Sequence, residues 1–441
     1  MDFFAKVRSS TIPTRDELKT ALRRHVVDSW FPRCLDLEHG GFLSDFDRAW
    51  QPCGPNQKLL EFQARQTWIA AELLRFFPGD TRLHQATIHG FHFLRDVMWD
   101  RNAGGWFYRT DRAGKSLESQ TKHAHGIAYT IGACAAVQAA TGEAGALDLA
   151  KEGFEWLDEH AHDDQHGGYF GWLDQDGTPI RQVSDCPYQA ASDPLDTPIG
   201  FKDINVHSDL LETFTYVYQL SPAPKMAQRL AELVRLICKK IITPSGALFY
   251  LFESDWTPLP QLMRYGQALQ TTHRLLAVRD LVGTEQRLIS VARSLMDLTL
   301  RYAWDNENGG VFFAGPGASC TSLEGHDLIV RKKFWWVQFE ALRALLALSF
   351  AVSDGEVYLD YFRRQWCYVQ DHIFDVQRGG IHPAGLENVP RWRRQFGRRF
   401  APSEVTRKAH DWKDGSHEGW ALLYCVSALG SEGLEHKLET Q

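Results

Sequence analysis

The hydrophobic residues of this 441-residue chain recur at the spacing of α-helices. Through residues 128–140, 226–242 and 336–350, apolar side chains return every third or fourth position, which places them along one face of a helix. No stretch alternates apolar and polar residues for long enough to predict a large sheet. The pattern therefore predicts an all-α protein.

Six short motifs interrupt these helical stretches. In each, two small residues that include glycine precede an apolar or aromatic residue, and glycine allows the positive φ of a tight turn or small hairpin. The motifs lie 63 to 78 residues apart, which leaves room for two helices and their loops. We predict six helix pairs in a single domain, residues 1–441, with short hairpins at one end. The motifs are Gly40-Gly41-Phe42, Gly104-Gly105-Trp106, Gly167-Gly168-Tyr169, Ser245-Gly246-Ala247, Gly309-Gly310-Val311 and Gly379-Gly380-Ile381.

The composition suits a large core and argues against several partners. Hydrophobic residues make up 44% of the chain, and 15 Trp, 13 Tyr and 26 Phe supply aromatic surface both for a core and for a carbohydrate cleft. A formal net charge of −7 argues against nucleic acid or an anionic membrane as the main partner. No apolar run approaches the roughly 20 residues of a membrane span. The first residues lack the pattern of a secretory leader, so we expect a cytoplasmic protein.

Cysteine and histidine spacing gives no sign of a metal centre. The eight cysteines are scattered without a Cys-x-x-Cys pair, and the histidine-rich stretch at residues 160–166 is interpreted as a polar turn. The sequence predicts reduced thiols, no metal and no cofactor.

Four segments, taken in chain order, resemble the N-acylglucosamine 2-epimerase superfamily, which includes cellobiose 2-epimerases, mannose isomerases and sulfoquinovose isomerases. They are KLLEFQARQTW at 58–68, NVHSDLLE at 205–212, KFWWVQFEA at 333–341 and WKDGSH at 412–417. The resemblance implies a six-fold (α/α) barrel with a sugar site at one mouth. It also implies site roles for the residues that match the family pattern, which are Arg65, Asn205, Trp335, Trp412 and His417.

Three places depart from the family pattern. Family members usually carry a histidine where this chain has Asp209, and a Gly-His-x-x-Glu motif where it has Gln267 and Gln270. A family tyrosine is replaced by His125. These departures remove two of the usual proton-transferring groups and leave His417 as the surviving histidine.

Helical spacing indicates which side chains can meet one ligand. Asn205, Asp209 and Glu212 are four and three residues apart and lie on one face, whereas His207 points about 200° away from Asn205 and is expected to be a packing residue. Gln267 and Gln270 share a face as well. Their amides donate and accept hydrogen bonds but do not titrate.

The reaction implied by the resemblance moves hydrogen between C1 and C2 of a sugar, which needs a base. Histidine suits this role, so His417 is the candidate base. An aldose–ketose isomerase can work with one base, whereas a 2-epimerase needs a second group on the opposite face. Asp209 is a candidate for that group if burial raises its pKa, with a structural or hydroxyl-binding role as the alternative. Arg65 is expected to polarise a sugar carbonyl.

The remaining candidates are expected to bind substrate, and they are His125, Asn205, Gln267, Gln270, Trp335 and Trp412. Trp335 and Trp412 are placed to stack on a pyranose ring, although Trp335 beside Trp336 is equally suited to the core. Residues 391–408 carry seven Lys or Arg and one acidic residue. Such a segment beside the cleft would attract an anionic ligand, and a solvated loop explains it as well. We expect a sugar or sugar-like small molecule as partner, and a monomer and a homodimer are both compatible with the sequence.

Two main hypotheses follow. The first is a cofactor-independent sugar isomerase or 2-epimerase that acts through an enediol with His417 as base. The alternative is a repurposed barrel that binds a carbohydrate-like ligand without epimerisation or catalyses a different reaction. The two glutamines favour the alternative, while the retained Arg65 and His417 favour the enzyme. A glycoside hydrolase ranks last, because Asp209 and Glu212 lie too close on one helix to flank a glycosidic bond.

Overall fold

Twelve α-helices longer than one turn form the frame of the described chain, which in this computed structural model comprises residues 11–117, 120–187, 190–283, 285–317, 329–388 and 407–430. The all-α class predicted from the hydrophobic pattern is confirmed. The helices are α1 (Arg15–Leu22), α2 (Leu60–Phe76), α3 (Thr81–Phe93), α4 (Ala124–Thr141), α5 (Ala146–Ala161), α6 (Ile204–Leu220), α7 (Pro224–Leu236), α8 (Tyr265–Val278), α9 (Glu285–Ala303), α10 (Trp335–Ala351), α11 (Glu356–Tyr368) and α12 (Ser416–Ala428).

The even-numbered helices pack on one another in a closed sequence. Helix α2 contacts α4, α4 contacts α6, and the contacts continue through α8, α10 and α12 back to α2. Each odd-numbered helix packs mainly on one even-numbered helix, with α1 on α12 and α3 on α2, for example. Helix α4 is buried without interruption from Ala124 to Val137, whereas α9 buries only a stripe. The even helices therefore lie inside and the odd helices outside.

Local sequence signals set several helix ends. Thr14 and Glu17 form a reciprocal capping box at the start of α1. The carboxylate of Asp203 accepts a hydrogen bond from the Val206 N–H at 2.9 Å and caps α6. Gly142, at φ +70°, ends α4 in the left-handed conformation that favours glycine.

In the part of the chain that the structure describes, ten short strands pair two by two and lie next to the inner helices. All five pairs are antiparallel, and one strand of each pair shortly precedes an even-numbered helix. The pairs are β1 (Phe46–Asp47) with β10 (Arg407–Ala409), β2 (Lys58–Leu59) with β3 (Arg109–Thr110), β4 (Lys122–His123) with β5 (Trp172–Leu173), β6 (Lys202–Asp203) with β7 (Leu251–Phe252), and β8 (Met263–Arg264) with β9 (Ala314–Gly315). The strands thus surround the amino-terminal ends of the even helices.

The glycine motifs form tight turns, as predicted. In the third motif Gly167 and Gly168 have φ of +77° and +75°, and residues on either side of the turn, His162 and Tyr169, form an antiparallel bridge. A Cβ on Gly168 would lie 2.6 Å from both the His207 ring and the Trp256 ring. Glycine is required here both for the backbone conformation and for the close packing.

Buried lysine–aspartate pairs fasten these turns. The aspartate lies four residues before the first glycine, and the lysine lies two residues before an even helix, or in β10 before α12. Removing one partner of a buried pair costs about 3–5 kcal/mol. In the fourth motif Thr243 takes the aspartate's place, and its hydroxyl accepts a hydrogen bond from the Ala247 N–H at 3.1 Å. The pairs are Lys58–Asp36 (2.9 Å), Lys122–Asp100 (3.1 Å), Lys202–Asp163 (2.6 Å), Lys333–Asp305 (2.7 Å) and Lys408–Asp375 (2.7 Å).

Both ring nitrogens of His207 bind backbone groups, and its ring packs against that of Trp256, with 4.7 Å between ring centres. Its Nδ1–H donates to the Asp203 carbonyl at 2.7 Å, and its Nε2 accepts from the Tyr169 N–H at 2.9 Å. Two glutamines hold other glycine turns in a similar way. The Gln63 side-chain amide of α2 bonds the backbone N–H and carbonyl of Phe42, and the Gln338 amide of α10 bonds those of Val311. His207 therefore holds a glycine turn, in line with its expected packing role.

The apolar core draws on both sets of helices, and the inside of the even-helix ring is polar. Within the described residues, no helix combines the length and apolar character needed to cross a membrane. The seven cysteines in that part of the chain form no disulfide.

Candidate active site

The first turns of the even helices bring most of the predicted site residues together. His125, Asn205 and His417 are each the second residue of an even helix, and Glu61 and Trp336 occupy the same position in α2 and α10. Because these helices begin at one end of the ring, their second residues form a circle at that mouth. One turn deeper, a second circle contains the candidates Arg65, Asp209 and Gln270, together with Tyr129 and Glu340.

A buried carboxylate holds the candidate base. His417 Nδ1–H donates to Glu340 Oε1 at 2.7 Å, and His273 Nε2–H donates to Glu340 Oε2 at 2.8 Å. Burial alone would raise the pKa of Glu340, but the hydrogen bonds from His273 and His417 outweigh it and hold that pKa well below its usual value. Glu340 is therefore an anion that fixes the tautomer of His417, and Nε2 remains the nitrogen that can accept a proton.

Asp209 and His125 form an ion pair. Asp209 Oδ2 lies 2.6 Å from His125 Nε2, and Asp209 Oδ1 lies 2.6 Å from Arg274 Nη2. Burial opposes both charges, yet the neighbouring Arg274 and His125 lower the pKa of Asp209 to about 2. Asp209 and Glu61 in turn raise the pKa of His125 to about 9. A raised pKa was the condition for Asp209 to act as an acid–base group, and the structure gives the opposite direction.

Arg65 is buried in the second circle rather than exposed at the surface. Its Nε lies 2.8 Å from Asp414 Oδ2, and its guanidinium lies 5.3 Å from the centre of the Tyr129 ring. Its Nη2 has no hydrogen-bond partner among the described residues. A buried guanidinium N–H in this position can donate to a substrate oxygen.

The amide side chains at the mouth are linked to each other. Asn205 Nδ2 donates to the Tyr250 hydroxyl at 2.6 Å, and Gln267 Nε2 donates to Asn205 Oδ1 at 3.1 Å. The Gln267 Oε1 is buried without a partner among the described residues. Gln270 Nε2 donates to Glu340 Oε1 at 3.4 Å. Gln267 thus retains an acceptor for a ligand hydroxyl, while Gln270 supports the carboxylate behind His417.

The tryptophans separate into core and mouth. Trp335 is buried, with the Lys413 ammonium 5.4 Å from its ring centre. Trp336 is half-buried at the same helix position as His125, and its ring centre lies 5.8 Å from that of His417. Trp412 is partly buried, and its backbone N–H donates to His410 Nδ1 at 3.2 Å. Trp336, rather than Trp335, lies beside the candidate base.

Sequence reasoning assigned no role to several residues that complete this site. Glu61 and Glu340 lie inside the segments that carry the family resemblance, so their helical register is the signal that could have found them. Helix spacing from Gln270 also places His273 and Arg274 one turn further along the same face. No spacing rule links His273 to Glu340, because the two residues come from different helices.

The polar network continues along the inside of the ring. Arg274 contacts Glu212 Oε2 at 2.6 Å, and Arg343 contacts Glu212 Oε1 at 2.9 Å. Asp209 and Glu212 therefore do share one helix face, where both bind Arg274. The network contributes a continuous set of ion pairs from the mouth towards the opposite end of the ring.

Two other expectations concern the basic segment 391–408 and metal binding. Most of the basic segment 391–408 lies outside the described residues; of its described members, Lys408 is buried against Asp375 and Arg407 lies 3.7 Å from Asp45. Within the described ranges, no cluster of three or more His, Cys, Asp or Glu residues is arranged to hold a metal ion.

Comparisons with known proteins agree with this fold. The family model described as N-acylglucosamine 2-epimerase matches residues 188–384. A cellobiose 2-epimerase of Ruminococcus albus is 22% identical over 415 residues, covering 93% of this chain and 98% of that protein. A D-mannose isomerase of Marinomonas mediterranea is 25% identical over 380 residues, covering 81% and 88%. The solved structure of a cellobiose 2-epimerase from Spirochaeta thermophila superposes with a TM-score of 0.79 at 24% identity, covering 94% and 96%. Residues 188–384 of this chain are thus similar to the N-acylglucosamine 2-epimerase family, and most of its length is similar to cellobiose 2-epimerases and D-mannose isomerases.

Proposed function

We propose that this protein is a sugar isomerase built on a six-fold (α/α) barrel, and that it interconverts an aldose and a ketose with His417 as its single base. The observation that carries the proposal is the 2.7 Å bond between His417 Nδ1 and the anionic Glu340, which leaves Nε2 as the proton acceptor. Relatives named D-mannose isomerase and cellobiose 2-epimerase support the reaction class. The closed contacts of the six even helices support the barrel.

In the proposed reaction, His417 Nε2 removes the C2 proton of the open-chain aldose. The electron pair of the C–H bond forms the C1–C2 double bond, and the carbonyl oxygen O1 becomes the oxyanion of an enediolate. The unpartnered Nη2 of Arg65 donates a hydrogen bond to O1 as this charge develops. The proton of the C2 hydroxyl then passes to O1, and the negative charge moves to O2, which becomes the ketone oxygen. His417 then returns the proton to C1 on the same face, which yields the ketose.

The surroundings of the base favour isomerisation over 2-epimerisation. Both ring nitrogens of His125 are engaged by carboxylates, with Asp209 at 2.6 Å and Glu61 at 3.3 Å. Asp209 is held as an anion, and Gln267 does not titrate. Reprotonation of C2 from the opposite face would need a group that these three residues do not supply.

The test is proton NMR of the protein in D2O with mannose, fructose, glucose, N-acetylmannosamine and cellobiose. We expect ketose and aldose to interconvert and deuterium to enter C1 or C2 of at least one sugar. His417→Asn should abolish this exchange, while His84→Asn, which alters an exposed histidine of α3, should leave it unchanged. Exchange that survives in His417→Asn would exclude His417 as the base.

Non-catalytic carbohydrate binding is the second candidate function. It is favoured by the complete mutual pairing of His125, Asp209 and Arg274 at the place where the family pattern has a proton-transferring histidine. In that case the same sugars would give saturation-transfer signals in NMR but no deuterium incorporation. Exchange with turnover would refute this alternative.

A further inference from the structure

A cavity of about 490 Å³ lies at the end of the ring opposite the candidate active site. Its lining comes from the later turns of α2, α6, α8 and α12 and from the middle of α10. At 1.5 Å per residue, the lining extends from about 4.5 Å beyond the first turns, at Trp420 after His417, to about 21 Å beyond them, at Gln219 after Asn205. The volume falls within the range of small-molecule sites, about 300–1,000 Å³.

One polar atom aimed at this cavity is buried and unsatisfied. His273 lines the cavity and is 4% exposed, and its Nε2–H donates to Glu340. Burial lowers the pKa of His273 to about 4, so the ring is neutral at pH 7. Its Nδ1 is then a hydrogen-bond acceptor, and it has no partner among the described residues. Such an acceptor calls for a donor from outside the protein, such as a hydroxyl group.

The charged side chains of the lining leave one arginine accessible to a ligand. Arg75, Arg274 and Arg343 face Glu72 and Glu212 in the lining, and Asp209 behind it pairs with Arg274 at 2.6 Å. Arg274 is almost wholly buried, whereas the Arg343 side chain is 20% exposed. Arg343 uses Nη1 to bind Glu212 Oε1, so the rest of its planar guanidinium can approach an oxyanion.

Aromatic rings form another part of the wall. The Trp68 ring lies 5.3 Å from Trp420 and 5.0 Å from Tyr216, measured between centres, and Tyr424 lies 6.0 Å from the Arg343 guanidinium. All four rings line the cavity. Aromatic faces beside hydrogen-bonding groups suit a molecule that has both C–H and O–H surface, as a sugar does.

We propose that this cavity is a second binding site, for a monosaccharide-sized polyol that carries one anionic group. The anion lies on Arg343, and a hydroxyl donates to His273 Nδ1. A carboxylate and a phosphate both meet the requirement at Arg343. The site is separate from the proposed active site, and its occupancy does not depend on turnover.

Isothermal titration calorimetry with D-glucuronate, D-glucose 6-phosphate and uncharged D-glucose tests the proposal. We expect at least one of the two anions to bind at least tenfold more tightly than glucose, and the better anion identifies carboxylate or phosphate as the preferred group. Arg343→Gln should weaken that binding tenfold or more. Gln267→Ala, at the opposite mouth, should change it by less than twofold.

A second variant separates loss of binding from loss of folding. Tyr424→Ala removes a ring from the cavity wall and leaves the ion pairs of Glu212 in place. It should weaken binding of the better anion by about threefold or more, and a circular-dichroism melt checks that the variant is folded. The proposal fails if neither anion binds, if glucose binds as tightly as both, or if Gln267→Ala abolishes binding while Arg343→Gln and Tyr424→Ala retain it. The last result would place the anion at the other mouth.

Discussion

Replacing Glu340 by glutamine tests the part of the site on which the proposed chemistry depends. The substitution keeps the shape of the side chain but removes its charge and presents an NH2 group to one of its two histidine partners. His417 Nδ1 lies 2.7 Å from the carboxylate, the length of a strong charge-assisted hydrogen bond. In the reaction His417 becomes an imidazolium, and the Glu340 anion stabilises that charge more than it stabilises the neutral ring.

The bond length and the charge set the size of the effect. A hydrogen bond to a charged group contributes about 1.5–3 kcal/mol, which corresponds to about a 10- to 150-fold fall in kcat. A larger loss is expected if the glutamine NH2 donates to Nδ1, because His417 would then carry its hydrogen on Nε2 and could not accept the C2 proton. Substrate affinity should change little, since Glu340 lies behind His417.

The assay is the initial rate of aldose–ketose interconversion by NMR, with a circular-dichroism melt for each variant. Glu232→Gln is the matched control, because Glu232 is a largely buried glutamate that pairs with His162 at 3.0 Å on an outer helix. Its rate should stay within about twofold of the parent. A Glu340→Gln variant that keeps more than half of the parental kcat, or a control that loses as much as Glu340→Gln, would refute the role given to Glu340.

Three further predictions concern the frame around the site. Lys202→Met removes the ammonium partner of the buried Asp163 and should lower the free energy of unfolding in urea by about 3–5 kcal/mol, whereas Arg293→Met, at an exposed ion pair with Asp354, should cost less than about 1 kcal/mol; equal losses would contradict the structural role of the buried pair. Gly168→Ala should lower Tm well below that of Gly142→Ala, because both glycines have positive φ but only at Gly168 would the added Cβ meet other atoms within 4 Å; similar melting temperatures would show that backbone conformation alone matters. Since the pKa of His125 is raised to about 9, its ion pair contributes stability that is complete below pH 6.5 and is lost as the pH rises through 9. The unfolding free energy of His125→Gln should therefore fall less between pH 6.5 and 9 than that of the parent, and identical slopes in urea titrations would contradict the assignment.

The ion-paired interior explains how this ring of helices accommodates Asp209, Gln267 and Gln270 and remains well packed. A carboxylate at Asp209, alone in a buried ring, would be costly, but Arg274 and His125 neutralise it on both sides. Gln267 and Gln270 satisfy their neighbours by hydrogen bonding without adding charge. The departures from the family pattern are thus mutually compatible.

The sequence alone determined the features that depend on neighbours along the chain. Apolar spacing predicted the helices, paired glycines predicted the turns, and helical geometry separated His207 from the face that carries Asn205 and Asp209. These features follow from local backbone sterics and from the helical repeat.

The tertiary structure decided what depends on residues far apart in the chain. The charge of Asp209 follows from Arg274 and His125, which lie on two other helices, and their attraction exceeds the effect of burial on its pKa. Of the two adjacent tryptophans, Trp336 lies beside His417, because Trp335 is packed in the core. The link from His417 through Glu340 to His273 joins three helices, and no periodicity within one helix encodes it. Helices and turns are local, whereas protonation states and partners are set by the charges and packing that folding brings together.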